Sequence, residues 1–267
     1  MVGRAQPRWL ASALLLSCVL LGVHAPAQSR TEQLAPQATW PQSVERAAAA
    51  GAYLPLTLLP EVGNTAALGS VSGGYDSAAH APQFVSFAEA RVYGPFAARV
   101  AVTTNVGGEA LRPGVAGRAQ FLDQQRHGVS AAVALAFKAE GFTEPEGEIE
   151  TTLSIGRRFG RTLLLTNLLY GQDPEGRERD AEVSAACLVR LSSRAHVGLD
   201  GRARFDLSPS RTVASKEPRY AVDVGPVFSM AVGPLSLSAH GGLSALARAE
   251  DDPKLGVVAM LGVGSAF

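Results

Sequence analysis

Residues 195–207 read AHVGLDGRARFDL. Every second position (Ala195, Val197, Leu199, Gly201, Ala203, Phe205, Leu207) is apolar or small, and His196, Gly198, Asp200, Arg202, Arg204 and Asp206 lie between. Strict alternation is the period of a β-strand with two unlike faces. It recurs along the chain. Leu235, Leu237, Ala239, Gly241 and Leu243 interleave with Ser236, Ser238, His240, Gly242 and Ser244; Val129, Ala131, Val133, Leu135 and Phe137 lie opposite Ser130 and three alanines. A chain patterned in this way builds sheet with one apolar and one polar face. What remains to decide is which solvent each face meets.

The N-terminus narrows the choice. Arg4 and Arg8 precede an apolar run from Leu10 to Val23, followed by the small-x-small site Ala25-Pro26-Ala27. That order predicts a secretory signal peptide over residues 1–27, too short in its apolar part for a spanning helix. Leu15-Leu16-Ser17-Cys18 loosely matches a lipoprotein box, but Leu16 fits poorly and the apolar run continues past Cys18. Cleavage removes two arginines and no acid, leaving 22 basic and 24 acidic residues, a net charge of −2. That balance argues against nucleic acid as a partner. Only Cys187 remains, so no intramolecular disulfide or thiolate metal cluster is expected. Beyond the leader no stretch approaches the ~20 apolar residues of a membrane helix. An exported chain of this kind can cross a membrane only as a closed barrel.

Residues 28–63 read as a periplasmic N-terminal segment. Ser43 can cap a short helix that Gly51 stops, and Pro55 and Pro60 interrupt YLPLTLLPE. From residue 64 onward the pattern predicts about 12 strands, near 65–73, 83–93, 96–104, 114–123, 128–138, 148–159, 161–170, 180–191, 194–207, 219–232, 235–246 and 254–267. Their connections alternate between long and polar (GYDSAAHAP, NVGGEALRPG, EGFTEPEG, GQDPEGRER, SPSRTVASKEP, RAEDD) and tight (Gly94-Pro95, Gln124 to His127, Gly160, Ser192-Ser193, Gly233-Pro234). In an up-and-down barrel this puts every long loop at one rim and every tight turn at the other, the arrangement of a transmembrane barrel. The aromatics follow the rims. Tyr93, Phe96, Phe121, Phe159 and Phe267 fall near the tight turns, and Phe84, Phe137, Tyr170, Phe205 and Tyr220 near the loops. Two such girdles are what bilayer interfaces select.

The chain closes on GVVAMLGVGSAF, with Leu255, Val257, Ala259, Leu261, Val263 and Phe267 on one face. In this ending, the paired rims and the loop alternation, the sequence resembles Gram-negative outer-membrane β-barrel proteins of the small, porin-like kind. Ser265 and Met260 depart from the usual terminal pattern. The resemblance implies an all-β, antiparallel up-and-down transmembrane barrel over residues 64–267, in the cell outer membrane, with both termini periplasmic. It implies Phe267 as the insertion signal read by the barrel-insertion machinery, and outer-membrane lipid and lipopolysaccharide as the surroundings. The apolar face then turns outward to lipid. A soluble barrel would close with fewer strands around bulky side chains, and Ala, Val and Gly fill such a core poorly.

Carrying the alternation through each strand assigns Glu89, Glu148, Glu150, Glu182, Asp200, Asp206 and Asp223 to the lumen, against Arg91, Arg99, Arg118, Arg158, Arg190, Arg202 and Arg204. Seven acids oppose seven bases. A selective channel usually shows a ring of one sign, so the balance predicts ion pairs that hold a small barrel nearly closed. No catalytic residue is expected. His196 and His240 face the lumen near serines, but no nucleophile-elbow motif appears, and Asp206 and His196 lie too far apart on one strand for a paired site. No cofactor or metal is expected either: His80 and His127 sit at opposite rims, and Glu250-Asp251-Asp252 lacks the spaced carboxylates and turn glycine of a calcium loop. The balanced lumen and the N-terminal segment predict a non-enzymatic structural component, anchoring a trans-envelope assembly of the secretion, adhesion or gliding-motility type, with other envelope proteins as partners. The alternative is a porin-like channel for small polar solutes.

Overall fold

The computed structural model describes residues 67–104, 110–143, 146–176, 178–208, 218–233, 235–248 and 252–266. The predicted signal peptide (1–27), the segment 28–63, Glu250, Asp251 and Phe267 lie outside them. Twelve strands follow one another: β1 (Ala67–Asp76), β2 (Ala81–Tyr93), β3 (Phe96–Thr104), β4 (Leu111–Leu122), β5 (Ser130–Ala139), β6 (Gly147–Phe159), β7 (Thr162–Gln172), β8 (Arg179–Arg190), β9 (Ala195–Asp206), β10 (Tyr220–Val232), β11 (Leu235–Ala247) and β12 (Lys254–Ala266). A single helical turn, α1 (Gln124–His127), joins β4 to β5. Each strand pairs antiparallel with its neighbours in sequence, and β1 pairs with β12 from Leu68↔Ala266 to Asp76↔Val258. The sheet is a closed barrel. Closure leaves no edge strand, the condition for spanning a bilayer with strands.

The two faces differ as the period-two pattern demands. On β9, Leu199 is 61% exposed while its neighbour Asp200 is 2% exposed. On β11 and β12, Leu243 and Leu261 face out and Ser238, His240 and Ser244 are buried. This barrel is apolar outside and polar inside, the reverse of a soluble core. The aromatic rims are exposed as well: Tyr93, Phe96 and Phe121 by the tight turns, Phe137 and Tyr170 by the loops. Phe87 instead points inward and is 4% exposed.

Strand ends depart from the sequence reading where turn chemistry misleads. Gly74-Tyr75-Asp76 reads as loop, yet β1 runs on to Asp76 and only residues 77–80 separate it from β2. Gly74 is needed for proximity rather than for a turn: a Cβ there would collide with the Ala259 carbonyl and Met260 of β12. β4 starts at Leu111 rather than 114, bringing Arg112 into the sheet. The connection 124–127 is helical, and Gly128, at φ 77°, ends it in the left-handed region that favours glycine. β5 therefore begins at Ser130.

Candidate functional site

The lumen is where the chain's buried charge collects, and cross-strand register decides which charges meet. Near the tight turns Glu89 (β2) is register partner of Arg99 (β3). Its Oε2 accepts from Arg99 Nε and Nη2 at 3.0 and 2.6 Å, and Arg118 (β4) reaches the same carboxylate with Nη2 2.5 Å from Oε1. All three are buried. Arg99 also lies over the Phe87 ring, 5.0 Å from its centroid. Arg158 and Arg190 lie at the turn ends of β6 and β8, both partly buried. Arg158 is pinned through its backbone. Its N–H donates to Gln124 Oε1 at 2.8 Å, and Gln124 Nε2 donates to its carbonyl at 2.8 Å. Arg91 is exposed at the turn rim, where the β2–β3 register shifts between Arg91 and Tyr93.

Towards the loops the pairs multiply. Arg112 Nη2 donates to Glu140 Oε1 at 2.5 Å and lies 3.6 Å from Glu148 Oε2. Lys138 Nζ donates to Glu150 at 2.8 Å, Arg202 Nη2 to Asp223 at 2.8 Å, and Arg204 pairs with Asp180. Glu182 is register partner of Arg204, and Asp206 of Asp180. In a narrow lumen each such charge gains from a close partner and suffers if left alone. Arg112 escapes a reading from sequence because β4 begins three residues earlier than its turn signals suggest, while Lys138 and Asp180 are the terminal residues of their predicted strands.

The middle of the lumen is polar but less charged. Asp200 lies 3.8 Å from His240 Nδ1, and Asn167 Nδ2 donates to Ser184 Oγ at 3.1 Å. Apolar side chains share this wall. Leu188 and Val227 are each 1% exposed and pack with Leu163, and Val258 and Met260 pack with Val85. Leu163 carries no inward signal in the sequence because TLLLTNLLY is apolar on both faces, so its period has no sign. Met260, out of place in a terminal-strand pattern, is a lumen residue with a packing role. The two lumen histidines keep different company: His240 lies beside Asp200, whereas His196 is register partner of Ser229. Among the described residues, no three His, Cys, Asp or Glu side chains are grouped to hold a metal. Cys187 is half-buried, in register with outward-facing Leu199.

No family model matches the chain, and no curated protein matches it in sequence. Solved structures match in shape. The NanC porin is 14% identical, with a TM-score of 0.54 over 74% of this chain and 100% of its own. The fold is that of an outer-membrane porin. The KdgM porin (7% identical, TM-score 0.52, 75% of this chain and 99% of its own) and an outer-membrane channel from Pseudomonas putida F1 (7%, 0.51, 78% and 98%) agree. At these identities the likeness is one of architecture.

Proposed function

We propose that the chain is a porin-like channel of the outer membrane that passes small polar solutes. The observation that carries this is the inversion of the barrel: twelve strands close on themselves with lipid-compatible side chains outside and ion-paired, hydrogen-bonding side chains inside. A polar lining gives a hydrated solute partners to exchange for water along its path. The balanced charge census pointed instead to an anchoring component of a trans-envelope assembly. Balance alone does not require closure, because a lining of both signs can still exchange contacts with a hydrated solute. The fold neighbours are porins and channels, which supports the conducting reading over the anchoring one.

The test is conductance. The leaderless protein, refolded in detergent and inserted into a planar bilayer, gives discrete current steps in KCl. In liposomes it releases small polar dyes and retains larger ones. A correctly folded barrel that carries no current returns the protein to the anchoring role.

A further inference from the structure

Inward charges are balanced in number along the chain but not along the barrel axis. Within about five residues of the tight turns, Arg99, Arg118, Arg158 and Arg190 face Glu89 as the one lumen carboxylate among the described residues. Arg91 adds a further positive charge at that rim. The loop half is the reverse. There Arg112, Lys138, Arg202 and Arg204 stand among eight carboxylates: Asp76, Glu140, Glu148, Glu150, Asp180, Glu182, Asp206 and Asp223. Asp200, beside His240, lies between the two halves. Ion pairing does not erase the difference, since Glu89 is shared by two arginines, whereas Arg112 serves two glutamates.

We propose that the lumen is a bipolar pore, basic towards the tight turns and acidic towards the loops, and that this sorting makes it rectify ion current. The proposal rests on the channel reading above. Fixed charge in a confined, low-dielectric passage enriches mobile ions of the opposite sign. Cations therefore collect in the loop half and anions in the turn half. When the loop side is positive, cations driven inward and anions driven outward converge on the middle of the pore, and carriers accumulate. When the loop side is negative, both kinds are drawn away from the middle, which empties of carriers. Current is larger in the first case.

Single channels in symmetric KCl test this. Biotin coupled to a Glu175→Cys variant at this exposed loop position, in a Cys187→Ser background, lets avidin added to one chamber report which side the loops face. At 0.1 M KCl the current with the loop side positive exceeds that of the opposite polarity about twofold or more. The ratio falls towards one at 1 M, where the screening length shrinks from about 10 to about 3 Å. Arg158→Gln with Arg190→Gln lowers the ratio, and Glu182→Gln with Asp206→Asn lowers it from the other end. The second pair keeps the test alive should the first fail to fold. A conducting pore with equal currents at both polarities, or with the larger current at loop-negative potential, overturns the bipolar assignment and leaves the channel standing. A folded barrel without current overturns both.

Discussion

Glu89 carries two guanidinium groups on one carboxylate, and this makes it the least replaceable charge in the lumen. Glu89→Gln leaves two buried arginines facing each other without their counter-charge, a loss of roughly 3–5 kcal/mol for a broken buried pair. Arg118→Met leaves the Arg99–Glu89 pair intact and costs less. Urea unfolding in detergent micelles ranks the two variants, and equal losses would show that the triad does not act as a unit. On the outer face the sign of the argument inverts. Leu199→Arg puts a charge at lipid depth, costing roughly 2–4 kcal/mol near the midplane, while Leu199→Met is nearly neutral. Alternation alone separates Glu89, Arg99 and Arg118 from their outward neighbours, because the strand period is two and the bilayer punishes an error. It cannot say that Arg118 reaches across β3 to Glu89, because that follows from register, which no single strand encodes.

Between β1 and β2 only residues 77–80 remain, and they are held down by Asp76. Its Oδ1 accepts from Ala78 N at 2.8 Å, Ala79 N at 3.4 Å and Ser244 Oγ at 2.7 Å. Ser77 ties the same turn to β12: its N–H donates to the Val257 carbonyl and its Oγ accepts from Val257 N. Ala78 is thereby pressed onto Ala221 and Leu246, inward-facing residues of β10 and β11. Asp76→Ala releases this turn from the loop-side mouth; Asp76→Asn keeps an acceptor and holds it. Unitary conductance rises in the alanine variant and changes little in the asparagine variant, and identical conductances would remove Asp76 as the clasp. The twelve strands were legible because each is a two-faced segment punctuated by turns. This short turn was not, since Gly74-Tyr75-Asp76 signals a loop locally and the reason for glycine at 74 lies on β12, across the seam.

At the scale of the whole molecule, the closed ring predicts a compact species that resists detergent. Unboiled protein migrates faster on gels than boiled protein, and a chain truncated before β12 loses that difference, because β1 and β11 then keep open edges. Unchanged migration after the truncation would mean that closure is dispensable.

The β1–β12 seam also sets an order of events. Every other strand pair joins neighbours in sequence and can form as soon as both strands exist. The seam joins the first strand to the last, its partners separated by nearly the whole barrel, so its loop-closure entropy is met only at the end. Until β12 is in place, every intermediate is an open ribbon with two unsatisfied edges and an apolar face exposed to water, the form most prone to aggregate. The seam is therefore the last pairing to form, and it is satisfied in lipid, where the apolar face no longer meets water.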